Sequence, residues 1–355
     1  MNHLDAVLER PTGPLRERAI IAHVDAYARE AGLVLLRDAY QNLMLTYDGT
    51  GGEVSPSLCL QMPLDQPGLE IRAVAGDTAE GWWHGPGELR SGQAMIVFGD
   101  RDEISPARVI SFTHTSTGRP ERVLLQMEGP VAVGDAALPE APGYLREGGW
   151  VSTRAAYGLM GVAATLELFD RLIARGSPAR VSALLTRGSV LHGAGALGAL
   201  RQGVLESKAP VICLMGRPTP PGTSPGMGPV VLAGDADGLM DPQLTAYIEG
   251  CAWALSRRSS SYDWQRALAE DITSEAAVLR SYGHPTAAIA LPVHQEMTEE
   301  GAKVDRVHLA DYHTLIDLLE STALGWGGAS TLKAADEIRK SRCDARGAVW
   351  LDRLR

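Results

Sequence analysis

The chain has 355 residues, 45% of them hydrophobic and 21% charged, enough to bury a large core in a globular protein. A net charge of −10 argues against nucleic acid or an anionic membrane as partner, and apolar runs such as residues 158–164 are far too short to cross a bilayer. The first residues, MNHLDAVLERP, carry no apolar leader, and the four cysteines lie far apart with no C-x-x-C spacing. The expectation is a cytoplasmic protein without a disulfide framework or a cysteine zinc site.

Residues 15–32 have helical period and are stopped by Gly32. Short β-rich runs follow at 33–37 and 42–47, then SLCLQMP (57–63), apolar almost throughout, as a strand covered on both faces should be. Between residues 69 and 148 short β runs alternate with Gly, Pro and Asp clusters and nothing has helical period, which predicts a small all-β insertion. Helix and strand then alternate: a helix at 153–174, a strand at 180–186, a short helix at 194–203 and a buried strand at 209–215. A Pro/Gly loop (217–228), a strand (228–233), helices at 242–257 and 274–282, a strand at 286–291 and an amphipathic helix at 309–324 complete the series. The predicted fold class is α/β, a mostly parallel central sheet flanked by helices. It is formed by residues 1–68 and 149–330, interrupted by a β domain at 69–148 and followed by a helical tail at 331–355.

Gly193-Ala-Gly195-Ala-Leu-Gly198 matches the G-x-G-x-x-G dinucleotide fingerprint. The preceding strand ends near Thr186, however, and Arg187-Gly188-Ser189 break it before the first glycine. No acid ends the next strand to hold a ribose, although Arg217 beyond it would suit a 2′-phosphate. The favoured reading is small residues that let a short helix pack closely on the sheet, with NADP binding as an alternative.

The order of segments (N-terminal helix, strand hairpin, inserted β domain, then alternating helices and strands) resembles the dinuclear zinc aminopeptidases of the glutamyl and deblocking type. The resemblance covers roughly residues 10–325. It implies two zinc ions held by imidazoles and carboxylates, with a further glutamate as general base. At the positions that should carry them, this chain departs from the pattern. Gln61-Met62-Pro63-Leu64-Asp65 stand in place of a His-x-Asp, with only Asp65 an acid. Ser152-Thr153 stand where a bridging Asp belongs and read as helix N-caps, followed by Arg154. Ser189-Val190 replace a Glu-Glu pair, and Leu214-Met215-Gly216 lack a further acid. Glu275 and His294 are the retained ligand types. His192, beside the glycines, reads as structural.

Two or three such residues from separate loops cannot hold a dinuclear site. The expectation is therefore a pseudoenzyme with no resident cofactor, binding a peptide, an amino-acid-like or anionic small ligand, or a partner subunit. Its cleft would be lined by Gln61, Asp65, Ser152, Arg154, Arg187, Ser189, Arg217, Glu275 and His294, and the resemblance implies a homo-oligomer. Two enzymatic alternatives stay open: a single zinc or manganese on Asp65, Glu275 and His294, or a serine mechanism using Ser152 or Ser189 with His294 and Glu275.

Overall fold

The computed structural model describes residues 3–51, 56–99, 104–270, 273–297 and 303–351. Helix α1 (His3–Leu8) precedes α2 (Arg18–Ala31). The second helix begins at Arg18 rather than Leu15, because Leu15 adopts φ 62° and Arg16 closes a β-bridge to Gly13. Gly32, at φ 67°, ends it as expected. Strands β1 (Val34–Arg37), β2 (Leu43–Tyr47) and β3 (Ser57–Pro63) follow.

Strands β4 (Gly68–Ala75), β5 (Thr78–His84), β6 (Ala94–Phe98), β7 (Ile104–His114), β8 (Pro120–Met127) and β9 (Ala136–Pro139) close into a six-stranded barrel. Its interior is filled by Leu69, Ile71, Met95, Val109, Val123 and Leu125. The chain returns through β10 (Leu145–Glu147), β11 (Trp150–Thr153), α3 (Leu159–Ala174), β12 (Arg180–Thr186), α4 (Ala194–Arg201) and β13 (Val211–Pro218). Then come β14 (Val230–Asp235), β15 (Gly238–Leu239), α5 (Pro242–Arg258), β16 (Gln265–Ala269), α6 (Glu275–Ser281), β17 (Thr286–Met297), β18 (Lys303–His308), α7 (Leu309–Leu324) and α8 (Ala329–Leu351).

The main sheet runs β1-β2-β12-β3-β13-β17-β18-β11-β10, with β14, β15 and β16 branching from β17. Its centre, β12-β3-β13-β17, is parallel, and the strands beyond β12 and β17 on this path pair antiparallel. Both faces of that centre are covered, which explains its apolar strands. Leu58, Leu60 and Met62 of β3 and Ile212 and Leu214 of β13 face a large core with α3, α5 and α7. The alternate residues Cys59, Cys213 and Met215 face a smaller core with Ala199 of α4 and Ala276 and Leu279 of α6. Cys59, Cys213 and Cys251 are free thiols.

Three expectations change. Ser152 and Thr153 belong to strand β11, and α3 starts only after a loop at 154–158. Their N-cap role is therefore wrong: Gly158 takes that position, and the Thr153 hydroxyl accepts instead from the Ala155 amide at 3.0 Å. Strand β13 continues through Arg217, which sits in the strand and not in the loop. Strand β17 runs past Leu291 to Met297, pairing first with β14 and then with β18. The helical tail is present as α8, though its last four residues lie outside the described ones.

The 154–158 loop is pressed onto the strand ends. A Cβ on Gly158 would stand 2.1 Å from the Pro63 carbonyl oxygen, and one on Gly216 would stand 2.1 Å from that of Ala156. Only glycine permits this approach, and it delivers Tyr157 to the C-terminal edge of β3 and β13.

Candidate functional site: a buried carboxylate network under a two-armed cleft

Gln61 and Thr186 sit at the C-terminal ends of neighbouring parallel strands, where α/β folds place their ligands. Between them enters Glu275, the first residue of α6. Its Oε2 accepts from Gln61 Nε2 at 2.5 Å and from the Thr186 hydroxyl at 2.6 Å. Its Oε1 accepts from the Ala196 amide of α4 at 3.3 Å. The Ser189 hydroxyl also hydrogen-bonds this carboxylate, and lies 3.3 Å from Tyr157 Oη. Asp65, fully buried, accepts from the Ser189 and Val190 amides at 2.9 and 3.0 Å.

Burial pushes both carboxyls up. Glu275 is raised although four donors oppose the shift. Asp65 is raised well above the usual range, with the nearby Glu17 and Glu275 carboxylates adding to the effect. The fold therefore favours their protonated forms. The contribution of such a group to stability is complete below its unfolded pKa, near 4 for about any carboxyl. It is lost as pH rises through the folded value. Comparing the wild type with Glu275→Gln by urea titration at several pH values should show the wild type's relative stability falling as pH rises from about 4, by at most ~1.4 kcal/mol per unit. A relative stability that grows with pH would contradict a raised pKa.

Above the network lies a cleft with two arms that share Trp83, Pro86 and Tyr157. The larger arm, about 460 Å³, is lined by Ser189, Glu275, His192, Asp237 and Arg119 among others. The smaller, about 170 Å³, is lined by Gln66, Arg154 and Arg217 together with apolar groups. Ser189, Glu275, Arg154 and Arg217 line this cleft, while Gln61 and Asp65 lie in the floor beneath it. Arg154 spends its guanidinium on the Ala141 and Glu9 carbonyls at 2.8 and 3.1 Å.

Three expected lining residues lie elsewhere. Ser152 is 7% exposed, paired in register with Arg306, and outside both arms. Arg187 donates to the fully buried Glu17 at 2.8 Å and to the Leu15 and Tyr40 carbonyls, so it pins the start of α2 to the sheet. His294 is exposed on the extension of β17, edge-on to Trp150 at 6.4 Å. Its neighbours Val293 and Gln295 line the smaller arm, so strand alternation turns His294 to the opposite side.

These residues do not fit the metal centres considered. The Glu275 and Asp65 oxygens are engaged by amide and hydroxyl donors, where a cation would need them as ligands. His294 does not face either acid. Among the described residues no three His, Cys, Asp or Glu side chains gather closely enough to hold an ion. The serine alternative fares similarly. Ser189 has Glu275 but not His294, and the Ser189 and Val190 amides that could serve an oxyanion are held by Asp65.

The glycine motif is a packing device. A Cβ on Gly195 would meet the Arg187 carbonyl oxygen at 2.1 Å, and one on Gly198 would meet the Tyr40 ring at 2.7 Å. The amide end of α4, where a pyrophosphate would sit, already receives the Glu275 carboxylate. Sequence reasoning missed Thr186, Tyr157, Glu17, Gln66 and Trp83. A polar Thr ending an apolar strand and the Asp65-Gln66 pair after SLCLQMP were the available signals.

No family model matches the chain, and no curated protein matches it. Solved structures do. A TET aminopeptidase from a marine sediment archaeon of the Thaumarchaeota superposes with a TM-score of 0.77 at 15% identity, over 94% of this chain and 98% of that one. An aminopeptidase from the archaeon Desulfurococcus kamchatkensis gives 0.76 at 14% identity, over 94% and 96%. The Pyrococcus horikoshii TET1 peptidase, which assembles into a tetrahedron or a large octahedral shell, gives 0.73 at 17% identity, over 91% and 99%. At such identities the likeness is one of fold alone: this chain shares the α/β fold of these solved aminopeptidases.

Proposed function

We propose that this chain is a catalytically degenerate aminopeptidase-like protein that binds a small ligand in its cleft without dinuclear zinc hydrolysis. One observation carries the reading: Glu275, a retained acid of the expected metal site, is saturated by the Gln61, Thr186, Ser189 and Ala196 donors. Neutral hydrogen-bond donors have taken the places from which a cation would be held, and the polar network satisfies itself. The ligand is a peptide-like, amino-acid-like or anionic small molecule, held between the sheet and the barrel, which acts as an inserted domain walling the cleft. No cofactor is required. The protein is cytoplasmic, and by extension from the shell-forming Pyrococcus peptidase it assembles with copies of itself.

Elemental analysis after metal-replete purification, run beside an aminopeptidase panel with added zinc or cobalt, tests the proposal. The expected result is zinc and manganese far below one per chain and no peptide turnover. Stoichiometric metal with turnover would overturn it. Light scattering should give a mass above the 37.8 kDa of one chain.

A further inference from the structure

Gln66 is a buried carboxamide with no partner among the described residues. The residue is 1% exposed, it lines the smaller arm of the cleft, and among the described residues neither Oε1 nor Nε2 has a hydrogen-bond partner. Buried side-chain polar groups are overwhelmingly paired, and leaving both ends of an amide unsatisfied is costly. The residue lines the cavity, and the terminal torsion of a glutamine is soft, so its amide plane can reorient there at little cost.

The cavity around it has flat apolar walls. Its volume is about 170 Å³, against about 460 Å³ for the larger arm. Trp83 and Tyr157 offer aromatic walls, and Pro67 and Pro86 extend the apolar surface. The Trp83 indole is fixed by its Nε1–H donating to the Gly85 carbonyl at 3.2 Å. Arg154 and Arg217 also line the arm, as do Glu88 and Asp305, so its formal charges balance and it does not select for net charge.

A carboxamide presents an acceptor and a donor side by side. Its complement is a ligand whose N–H and C=O also lie side by side. A trans peptide group points them in opposite directions and cannot satisfy both. Ring amides, ring imides and primary carboxamides can. We infer that the smaller arm binds a planar, uncharged molecule through such an adjacent N–H/C=O edge, paired with Gln66 and stacked against Trp83 and Tyr157. This rests on the reading of the cleft as a small-molecule site and assigns to the smaller arm alone a neutral ligand class that ordinary peptides do not meet, leaving the peptide-like, amino-acid-like or anionic ligand to the larger arm.

Uracil, hydantoin and nicotinamide, titrated into the full-length protein by calorimetry, are the probes, with 1,3-dimethyluracil as the control of similar shape that has no N–H. At least one of the three should bind, with the imides distinguishing a ring edge from the primary amide of nicotinamide, and dimethyluracil should bind at least tenfold more weakly than uracil. Gln66→Leu should weaken the best probe by roughly tenfold to thirtyfold, the loss of two hydrogen bonds. It should also unfold at the same or a higher temperature than the wild type, because an unpaired buried amide is removed; a merely structural glutamine would not behave so. Failure of every N–H probe to bind, equal binding of dimethyluracil, or unaltered binding by Gln66→Leu would overturn the inference. If that happens while metal and peptide turnover remain absent, the degenerate-site proposal stands and only the ligand class falls. Stoichiometric zinc with turnover has the converse meaning.

Discussion

Glu275→Ala should destabilise the protein by about 3 kcal/mol, although it removes a buried acid whose charged form the fold disfavours. The truncation removes the acceptor to which Gln61 Nε2, the Thr186 hydroxyl and the Ala196 amide now donate at 2.5, 2.6 and 3.3 Å, leaving Gln61 only the Thr186 hydroxyl oxygen at 3.0 Å and Thr186 only the Met62 carbonyl at 3.4 Å. Each buried donor left without an acceptor costs about 1–3 kcal/mol, and relief of the acid's desolvation offsets only part of the sum. Glu275→Gln keeps one acceptor and the side-chain volume, so it should lose about half as much at pH 7. Urea midpoints for the two variants decide the matter. If Glu275→Ala lies within about 0.5 kcal/mol of wild type, as surface substitutions do, the network is not part of the fold's support.

Gly195→Ala should be as damaging for a different reason. Its new Cβ would stand 2.1 Å from the Arg187 carbonyl oxygen and 2.8 Å from the Arg187 nitrogen, both backbone atoms that cannot swing aside. Overpacking of this kind costs about 1–3 kcal/mol and more when the backbone must move, so a loss at or above ~3 kcal/mol is expected. Gly198→Ala is the built-in comparison. It meets the ring of Tyr40, a residue 51% exposed that can turn outward, and should cost about 1 kcal/mol or less. NADP should leave the melting temperature of the wild type unchanged. A Gly195→Ala protein of normal stability, in which an NADP-dependent shift of the wild type had been abolished, would restore the nucleotide reading.

Both predictions concern residues the sequence does display, and they show how far it could be read. The apolar runs at 57–63, 180–186 and 209–215 announced strands covered on both faces, because their periodicity records which sides meet the cores. The Gly, Pro and Asp clusters of 69–148 announced turns between short strands for an equally local reason, the backbone conformations those residues allow. Gly32 announced the end of α2. What such signals could not carry was strand length past the core. Strand β17 continues six residues beyond Leu291 because β18 arrives to pair with it, a partner not evident in the local pattern. His294 was misplaced for that reason alone. Ser152 and Thr153 read as caps, since the same hydroxyls cap helices and decorate strands, and only pairing with β18 and β10 makes their segment a strand.

The candidate site divides along the same line. The sequence by itself supplied the expectation that most ligands of the resembled family are missing, since residue identity needs no geometry: Gln61 is not a histidine, and Ser189 and Met215 are not carboxylates. It also determined the fold class, through hydrophobic period and element order. Only the tertiary structure decided where the remaining acids turn. It set Glu275 against donors that lie 214, 89 and 79 residues away in the chain, and buried Gln66 beside an aromatic-walled cavity with its amide unpaired among the described residues. Hydrogen-bond satisfaction is a property of three-dimensional neighbours, and local sequence pattern does not record it.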